Sequence, residues 1–117
     1  VMDGVAYIGS SDAAAVYAIA ADTGVRSWES PVHGWAWGQP AVTADRVFIG
    51  TTGLRGYAGD TRRGGVMALD RASGQAVWRY ALEPPDEGAW GFPGSPAVGD
   101  GHVFVTGIDG RVLAFLQ

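Results

Sequence analysis

The stretch from Asp3 to Trp28, "DGVAYIGSSDAAAVYAIAADTGVRSW", decides the fold, because its pattern returns twice along the chain. A turn precedes an alternating apolar run, a second such run follows, and a tight turn then leads to a tryptophan. The second copy reads "ADRVFIGTTG" and, after an insertion, "GGVMALDRASGQAVW", which ends at Trp78. The third copy reads "GDGHVFVTGIDGRVLAFLQ" and runs to Gln117. Self-similarity of this kind indicates a repeat architecture.

Each copy carries enough strand signals for four short strands. Valine, isoleucine, tyrosine and phenylalanine at every second position, broken by glycine and aspartate, are typical of antiparallel strands. The runs "QPAV" and "SPAV" supply the first strand of the next copy. Landmark glycines lie 41 residues apart (Gly9 to Gly50) and 57 apart (Gly50 to Gly107), and loop insertion explains the difference. Four strands per repeat of this length are typical of β-propeller blades, whereas a plain β-sandwich does not require the same turn and tryptophan in every unit.

We therefore predict an all-β chain of β-propeller blades, each with four antiparallel strands, that forms an incomplete ring. The predicted units are blade one at 1–38, lacking most of its first strand, blade two at 39–93, and the first three strands of a C-terminal blade at 94–117. Propellers close with about 4–8 blades. The missing blades are expected either from the same parent chain or from self-assembly of the arcs.

Composition excludes several classes of function. The 117 residues are 47% hydrophobic and carry a net charge of −4, with all eight cationic side chains on arginine. A nucleic-acid binder needs a basic stripe, and Arg62–Arg63 is the only adjacent pair of basic residues. Cysteine is absent from the sequence, so disulfides and thiolate sites are excluded. No apolar run is long enough for a membrane helix, so we expect no membrane span. Because the sequence has no basic stripe, we also expect no nucleic-acid partner.

The blade pattern predicts that every long connection lies on one face, because alternate turns of antiparallel strands share a face. The long connections are Ser10–Ala15, Ser30–Gln39, Thr51–Gly65 and Leu82–Gly94, and we call the surface that they form the long-loop face. Recognition usually resides on long loops of a rigid scaffold. This face is therefore the predicted site for a protein, a peptide or a small ligand.

Two sets of side chains on this face are candidates for binding. Four aromatic residues lie in glycine-rich stretches and could either cap the blade seams or form a stacking platform: Trp35, Trp37, Trp90 and Phe92. The insertion contributes five polar or aromatic residues that could hold a carboxylate or phosphate, or could simply be a solvated loop: Arg55, Tyr57, Asp60, Arg62 and Arg63. The acidic stretch with Glu83, Asp86 and Glu87 is more typical of a solvated loop than of a calcium site.

The repeats "AYIGSSDAAAVYAIAADTGVRSW", "FIGTTG…GGVMALDRASGQAVW" and "FVTGIDGRVLAFL" resemble the pyrroloquinoline-quinone-like (PQQ-like) β-propeller repeat. The resemblance implies a parent of seven or eight blades, and it implies that Trp28 and Trp78 dock neighbouring blades together. It also implies that an N-terminal strand completes the last blade. Gln117 is therefore expected near a natural C-terminus and Val1 at an interior position. The family's proteins imply a bacterial, exported chain, in the periplasm or outside the cell.

Some relatives with this repeat are quinoprotein alcohol dehydrogenases, which bind PQQ and calcium and use an aspartate base. The stretch "PPDEGAWG" resembles their Pro-x-Asp-x-Trp-Asp pattern, but Gly91 stands where the base would be, and Gly91 cannot accept a proton. No catalytic, cofactor-binding or metal-binding residue is predicted. The sequence favours a non-catalytic scaffold or sensor module, and the alternative is a segment of a PQQ-dependent dehydrogenase whose catalytic residues lie elsewhere or are lost.

Overall fold

The computed structural model describes residues 1–57, 59 and 61–117, and their regular secondary structure is almost entirely β. The strands, in chain order, are β1 Val5–Ser10, β2 Ala15–Ala20, β3 Arg26–Pro31, β4 Ala41–Val42, β5 Arg46–Leu54, β6 Gly65–Asp70, β7 Ala76–Ala81, β8 Ala89–Gly91, β9 Ala97–Gly99, β10 His102–Thr106 and β11 Val112–Leu116. The predicted all-β class is confirmed. Within these ranges, no helix has the length and apolar character that a bilayer crossing requires.

The strands form three antiparallel sheets in chain order. The first sheet is β1-β2-β3, the middle sheet is β4-β5-β6-β7, and the last sheet is β9-β10-β11. All strand pairs are antiparallel, and β2–β3 and β6–β7 carry a register irregularity at the same point, Ala18/Ile19 and Ala68/Leu69. This matching irregularity shows that the sequence repeat is also a structural repeat.

Three strands end later than the sequence predicts. The strands that carry Trp28 and Trp78 run on for three residues beyond each tryptophan, because β2 and β6 continue to pair with them. In addition, β5 extends to Leu54, into the stretch expected to be a long connection. There it pairs with β8, a three-residue strand that the sequence did not predict. The prediction missed β8 because a glycine-rich stretch has no alternating apolar pattern.

The two central strands of the middle sheet, β5 and β6, are buried on both faces, and alternation along them divides their side chains between two cores. Val47 and Ile49 of β5 face the first sheet, whereas Phe48 between them faces the last sheet. In β6, Met67 and Leu69 join the core of the first sheet in the same way. Because side chains alternate across a strand, one short sequence serves both interfaces.

Trp28 connects the first sheet to the middle sheet. Its indole Nε1 donates a hydrogen bond to the carbonyl oxygen of Arg71 at 3.0 Å, in the turn between β6 and β7. The ring lies directly over Gly74, where an added Cβ would come within 2.6 Å of two ring atoms. Gly74 also has φ +75°, a conformation that favours glycine. A partly buried indole with a satisfied N–H combines large apolar contact with a fixed orientation.

Arg71, in the turn between β6 and β7, also connects the middle sheet to the first sheet. Its guanidinium donates to the Tyr7 hydroxyl at 3.0 Å and to the Asp3 carboxylate at 2.6 Å, both in the first sheet or its leading turn. It also donates to the carbonyl oxygen of Ala44 at 3.1 Å. One side chain therefore joins three tight turns on the face opposite the long loops.

Trp78 occupies the equivalent position at the boundary between the middle and last sheets. Its ring packs against Phe48 at 6.1 Å between centroids and against Phe115 at 5.6 Å. The partly buried Trp78 and Phe115 contact both small cores of this interface. The structure therefore puts both repeat tryptophans at sheet boundaries.

Gly74→Ala is expected to destabilise the chain at least twice as much as Gly24→Ala. Gly24 occupies the same turn of the first sheet with φ +72°, but an alanine Cβ there would meet no atom within 4 Å. Both substitutions carry the left-handed backbone cost of about 1 kcal/mol, and only Gly74→Ala also displaces the Trp28 ring. Chemical denaturation of the two variants measures the difference, and equal losses of stability would contradict this account of the boundary.

Candidate functional site

The long-loop face is one connected surface, because main-chain and side-chain hydrogen bonds join its loops across sheet boundaries. These bonds run from Arg62 Nη2 to the Asp12 carbonyl (2.9 Å), from Arg63 N to the His33 carbonyl (2.7 Å), from Arg55 N to the Gly88 carbonyl (3.0 Å) and from Ile108 N to the Gly91 carbonyl (3.0 Å). The loops of all three sheets are thus held relative to one another. Such a surface can present side chains in a fixed arrangement.

Thr52, near the end of β5, is where these loops meet. Its backbone N–H and carbonyl both pair with the backbone of Trp35, each at 3.0 Å. On the opposite edge of β5, Thr52 is paired with Gly91 of β8. The extended part of β5 therefore sets the position of the connection after the first sheet and of the connection after the middle sheet. Backbone pairing with Thr52 therefore fixes the position of Trp35 independently of its side-chain contacts.

Three aromatic side chains lie together on this face, and we call Trp35, Trp37 and Tyr57 the aromatic cluster. The rings of Trp35 and Trp37 are stacked, with centroids 5.6 Å apart and planes inclined by 7°. The Tyr57 ring lies 5.4 Å from Trp35 at an angle of 51°. Trp37 is 58% exposed and Tyr57 is 57% exposed, so the cluster offers ring surface to solvent.

A cavity of about 340 Å³ opens beside the aromatic cluster. Trp37 forms one wall, β1 residues including Ile8 form another, and Gln39 and Pro40 lie between them. The cavity therefore combines aromatic, aliphatic and amide groups next to the exposed ring of Trp37.

Trp90 and Phe92, which the sequence grouped with Trp35 and Trp37, are buried. Trp90 is 6% exposed and Phe92 is 1% exposed, so neither presents a ring to a ligand. The Trp90 ring lies across Gly53 and Gly64, where added Cβ atoms would come within 2.7 and 2.6 Å of it. Pairing of β8 with β5 turns the ring inward, so Trp90 and Phe92 correspond to the capping alternative and not to the stacking platform.

Two arginines of the insertion bond to the backbone of the first sheet's loops. Arg62 reaches the loop of the first sheet through its bond to the Asp12 carbonyl. The carbonyl of Arg63 passes so close to Gly34 that any Cβ there would collide with it, which places this segment beside Trp35. Arg55 is exposed and precedes Tyr57 by two residues. Asp60, the remaining candidate of the insertion, lies outside the described residues.

The acidic side chains do not assemble a metal site in the described part of the chain. There, no group of three or more histidine, aspartate or glutamate side chains is arranged to hold an ion. Glu83, Asp86 and Glu87 thus do not supply the converging oxygens that calcium requires. The ring of Trp90, the tryptophan of the dehydrogenase-like pattern, is covered by glycine backbone. The Trp90 ring, 6% exposed, therefore has no open face on which a quinone could stack.

Two ionisable groups on this face have shifted pKa values. The backbone N–H of Arg111, followed by its side chain, lowers the pKa of Asp109, and the Asp109–Arg111 ion pair has a separation of 2.6 Å. Partial desolvation of the ring, followed by the charge of Arg79, lowers the pKa of His33 from its ordinary value of 6.5, although the residue as a whole is exposed. His33 also has φ +64°, so it forms a turn that directs the chain towards Trp35.

Face-to-face antiparallel sheets with tryptophans at their boundaries define a protein of β-propeller blades. A family model described as outer membrane protein assembly factor BamB matches residues 62–116. The chain is 33% identical, over 111 residues, to the outer membrane protein assembly factor BamB of Yersinia pestis, covering 95% of this chain and 25% of that protein. The chain is therefore built from PQQ-like β-propeller repeats, and it spans about a quarter of the length of this curated relative.

Solved structures show the same architecture. BamB from Moraxella catarrhalis superimposes with a TM-score of 0.71 and 25% identity, over 97% of this chain and 30% of that one. Quinohemoprotein alcohol dehydrogenase from Comamonas testosteroni gives a TM-score of 0.69 and 25% identity, over 92% of this chain and 16% of that one. The predicted propeller fold is confirmed. The fold is common to an assembly factor and an oxidoreductase, so function depends on the site.

Arg79→Gln is expected to raise the pKa of His33 while leaving it below 6.5, because partial desolvation, the larger cause, remains. The folded state favours the neutral form of His33. The stability that this preference contributes is fully present above the pKa of His33 in the unfolded chain, and it is lost as pH falls through the lower pKa of His33 in the folded chain. Titration of the His33 ring by NMR measures the midpoint, with Arg26→Gln as the matched control. A midpoint unchanged in Arg79→Gln, or above 6.5 in the parent chain, would contradict the assignment.

Proposed function

We propose that this chain is part of an exported, non-catalytic PQQ-like propeller that binds a protein partner through its long-loop face. The aromatic cluster forms the centre of the contact, and the surrounding loops form its rim. The blades act as a rigid scaffold that holds these loops. Further blades are expected to complete the ring around them, and the compartment is expected to be the periplasm or the cell exterior.

The observation that carries this proposal is the stacked and exposed aromatic cluster. Trp37 keeps 58% of its surface exposed although Trp28, Trp78 and Trp90 use their rings for packing inside the fold. Tryptophan, tyrosine and arginine are the residues most enriched among energetic hot spots of protein interfaces. The cluster and its neighbouring arginines have this composition, and backbone pairing of Trp35 holds it in place before binding.

The relatives support a protein partner. The curated relative and one solved neighbour are both named BamB, and the Yersinia pestis protein is an outer membrane protein assembly factor. A factor in assembly acts on other proteins. We extend this role to the present chain as a proposal, because the chain covers a quarter of that relative.

As a second candidate, the chain is a segment of a PQQ-dependent dehydrogenase. Its structural similarity to the quinohemoprotein alcohol dehydrogenase favours this alternative. Against it, Gly91 occupies the position of the expected base, and the Trp90 ring is covered by Gly53 and Gly64. A quinone would need an open ring face at that tryptophan. The exposed ring of the aromatic cluster, Trp37, lies instead in the connection between the first and middle sheets. We therefore favour the scaffold over the enzyme.

A photo-crosslinking amino acid at position 37 is expected to capture a protein partner in the envelope fraction of the source cell. The same amino acid at Phe104, which is 41% exposed on the last sheet, is the matched control and is expected to capture several-fold less of the same partner. Quantitative immunoblotting and mass spectrometry measure the ratio.

Equal capture from both positions would contradict the proposed long-loop face. Binding of PQQ with calcium by the purified protein, accompanied by alcohol-dependent dye reduction, would instead establish the dehydrogenase alternative. Absorbance of the bound quinone and dye reduction can be measured on the same sample.

A further inference from the structure

We propose that a cavity between the first and middle sheets, at the end that carries the tight turns, binds a small organic cation: a protonated amine with an aromatic or aliphatic body. The cavity lies at the opposite end of the sheets from the aromatic cluster, so this inference is independent of the proposed function. Its volume is about 430 Å³, which is within the range of sites that enclose small molecules. We call it the boundary cavity, and its aromatic and polar lining consists of Tyr7, Ser27, Trp28, Asp45, Asp70 and Arg71.

The walls of the boundary cavity are mainly apolar. Tyr7 and Trp28 contribute two rings whose centroids are 6.0 Å apart and whose planes are inclined by 45°. Val5 and three alanines add small aliphatic surfaces. The indole N–H of Trp28 is already bonded to the Arg71 carbonyl, so this residue offers ring surface rather than a hydrogen bond. Tryptophan and tyrosine rings attract cations as well as apolar groups.

Two carboxylates in the wall give the boundary cavity its charge preference. Asp70 accepts hydrogen bonds from the N–H and the hydroxyl of Ser73 through Oδ1, at 2.9 and 2.7 Å. Its Oδ2 has a loose ion pair with the Arg46 guanidinium at 3.9 Å. The Oδ2 atom of Asp45 lies 3.3 Å from the same guanidinium, and the Asp45 side chain is 71% exposed. One arginine is thus shared between two carboxylates, whose oxygens can accept further hydrogen bonds from an ammonium group.

Arg71 also lines the boundary cavity, but its charge is already compensated. Its guanidinium donates to the Asp3 carboxylate at 2.6 Å and also to a hydroxyl and a carbonyl, and its side chain is only 16% exposed. Around the cavity, two guanidinium groups therefore face three carboxylates: Asp3, Asp45 and Asp70. An anion would lie beside surplus carboxylates, whereas an organic cation would balance them.

The boundary between the middle and last sheets shows which of these groups the repeat itself requires. Phe48 and Trp78 have nearly the same geometry there as the first aromatic pair, with centroids 6.1 Å apart and planes inclined by 42°. The aromatic pair therefore belongs to the joining of the sheets. Ser27, by contrast, is the residue left unpaired at the register irregularity of the first sheet, and Val77 takes that place in the middle sheet. The first boundary thus carries a hydroxyl that the joining of sheets does not require.

The test is an NMR titration of the nitrogen-15-labelled chain at neutral pH with phenethylamine, which joins one aromatic ring to a protonated amine. Phenylethanol is the neutral control and phenylpropionate is the anionic control. The readout is the indole N–H signal of Trp28. We expect phenethylamine to shift this signal saturably and to bind about fivefold more tightly than phenylethanol, on the scale of a partly exposed cation–π contact. Phenylpropionate is expected to give no saturable shift.

Variants assign the charge preference to the two carboxylates. Asp45→Asn combined with Asp70→Asn removes both charges and keeps an oxygen that can accept the bonds from Ser73. This double variant is expected to bind phenethylamine about fivefold more weakly, at the level of phenylethanol. Asp100→Asn changes an exposed aspartate in the corresponding turn of the last sheet and is the matched control, with an unchanged Kd. If thermal unfolding shows that the double variant is not folded, Asp45→Asn alone is expected to weaken binding about twofold.

The cation preference would be overturned by equal affinities of phenethylamine and phenylethanol, or by tighter binding of phenylpropionate. The site would be overturned if phenethylamine left the Trp28 signal unshifted, or if the asparagine variants bound it as tightly as the parent chain and Asp100→Asn do. Nα-acetyl-lysine amide distinguishes a free amine from the side chain of a protein. Tighter binding of this probe than of phenethylamine at the same signal would replace the small molecule with a lysine of a partner. Crosslinking from position 37 tests the other end of the sheets and is unaffected by each of these results.

Discussion

The contact between the Trp28 ring and Gly74 is the interaction on which the arrangement of the sheets depends. Each sheet has an apolar face that it cannot bury by itself, and the indole joins two such sheets through one hydrogen bond and one close packing contact. The turn around Gly74 must be left-handed and free of a side chain for the ring to approach. Arg71, in the same turn, adds polar contacts to the first sheet.

Once the tight turns fix the sheets at one end, the long loops at the other end come within reach of one another. Strand β5 then extends beyond its own sheet and pairs with Trp35 on one edge and β8 on the other. This pairing divides the aromatic residues into two groups. Trp90 is packed over Gly53 and Gly64, and Trp35 with Trp37 remains at the surface. The candidate binding site is thus a consequence of how the sheets are joined.

Much of the fold could be predicted from the sequence, because alternating apolar runs and repeated turns are local signals. The irregularity shared by Ala18/Ile19 and Ala68/Leu69 shows how faithfully the repeat carries over into structure. Strand β8 and the burial of Trp90 could not be predicted, since both depend on backbone pairing with β5 far away in the sequence. Sequence analysis identified the residue types of the face, whereas tertiary contacts decide which rings are exposed.

The central claim is that the glycine-rich aromatic stretches separate into a buried ring at Trp90 and an exposed ring at Trp37. Fluorine NMR of the chain labelled with fluorotryptophan, in the presence of a soluble gadolinium chelate, tests this directly. Resonances can be assigned with single tryptophan-to-phenylalanine variants. The account predicts the strongest paramagnetic broadening for Trp37 and the weakest for Trp90. Broadening of Trp90 equal to that of Trp37 would contradict it.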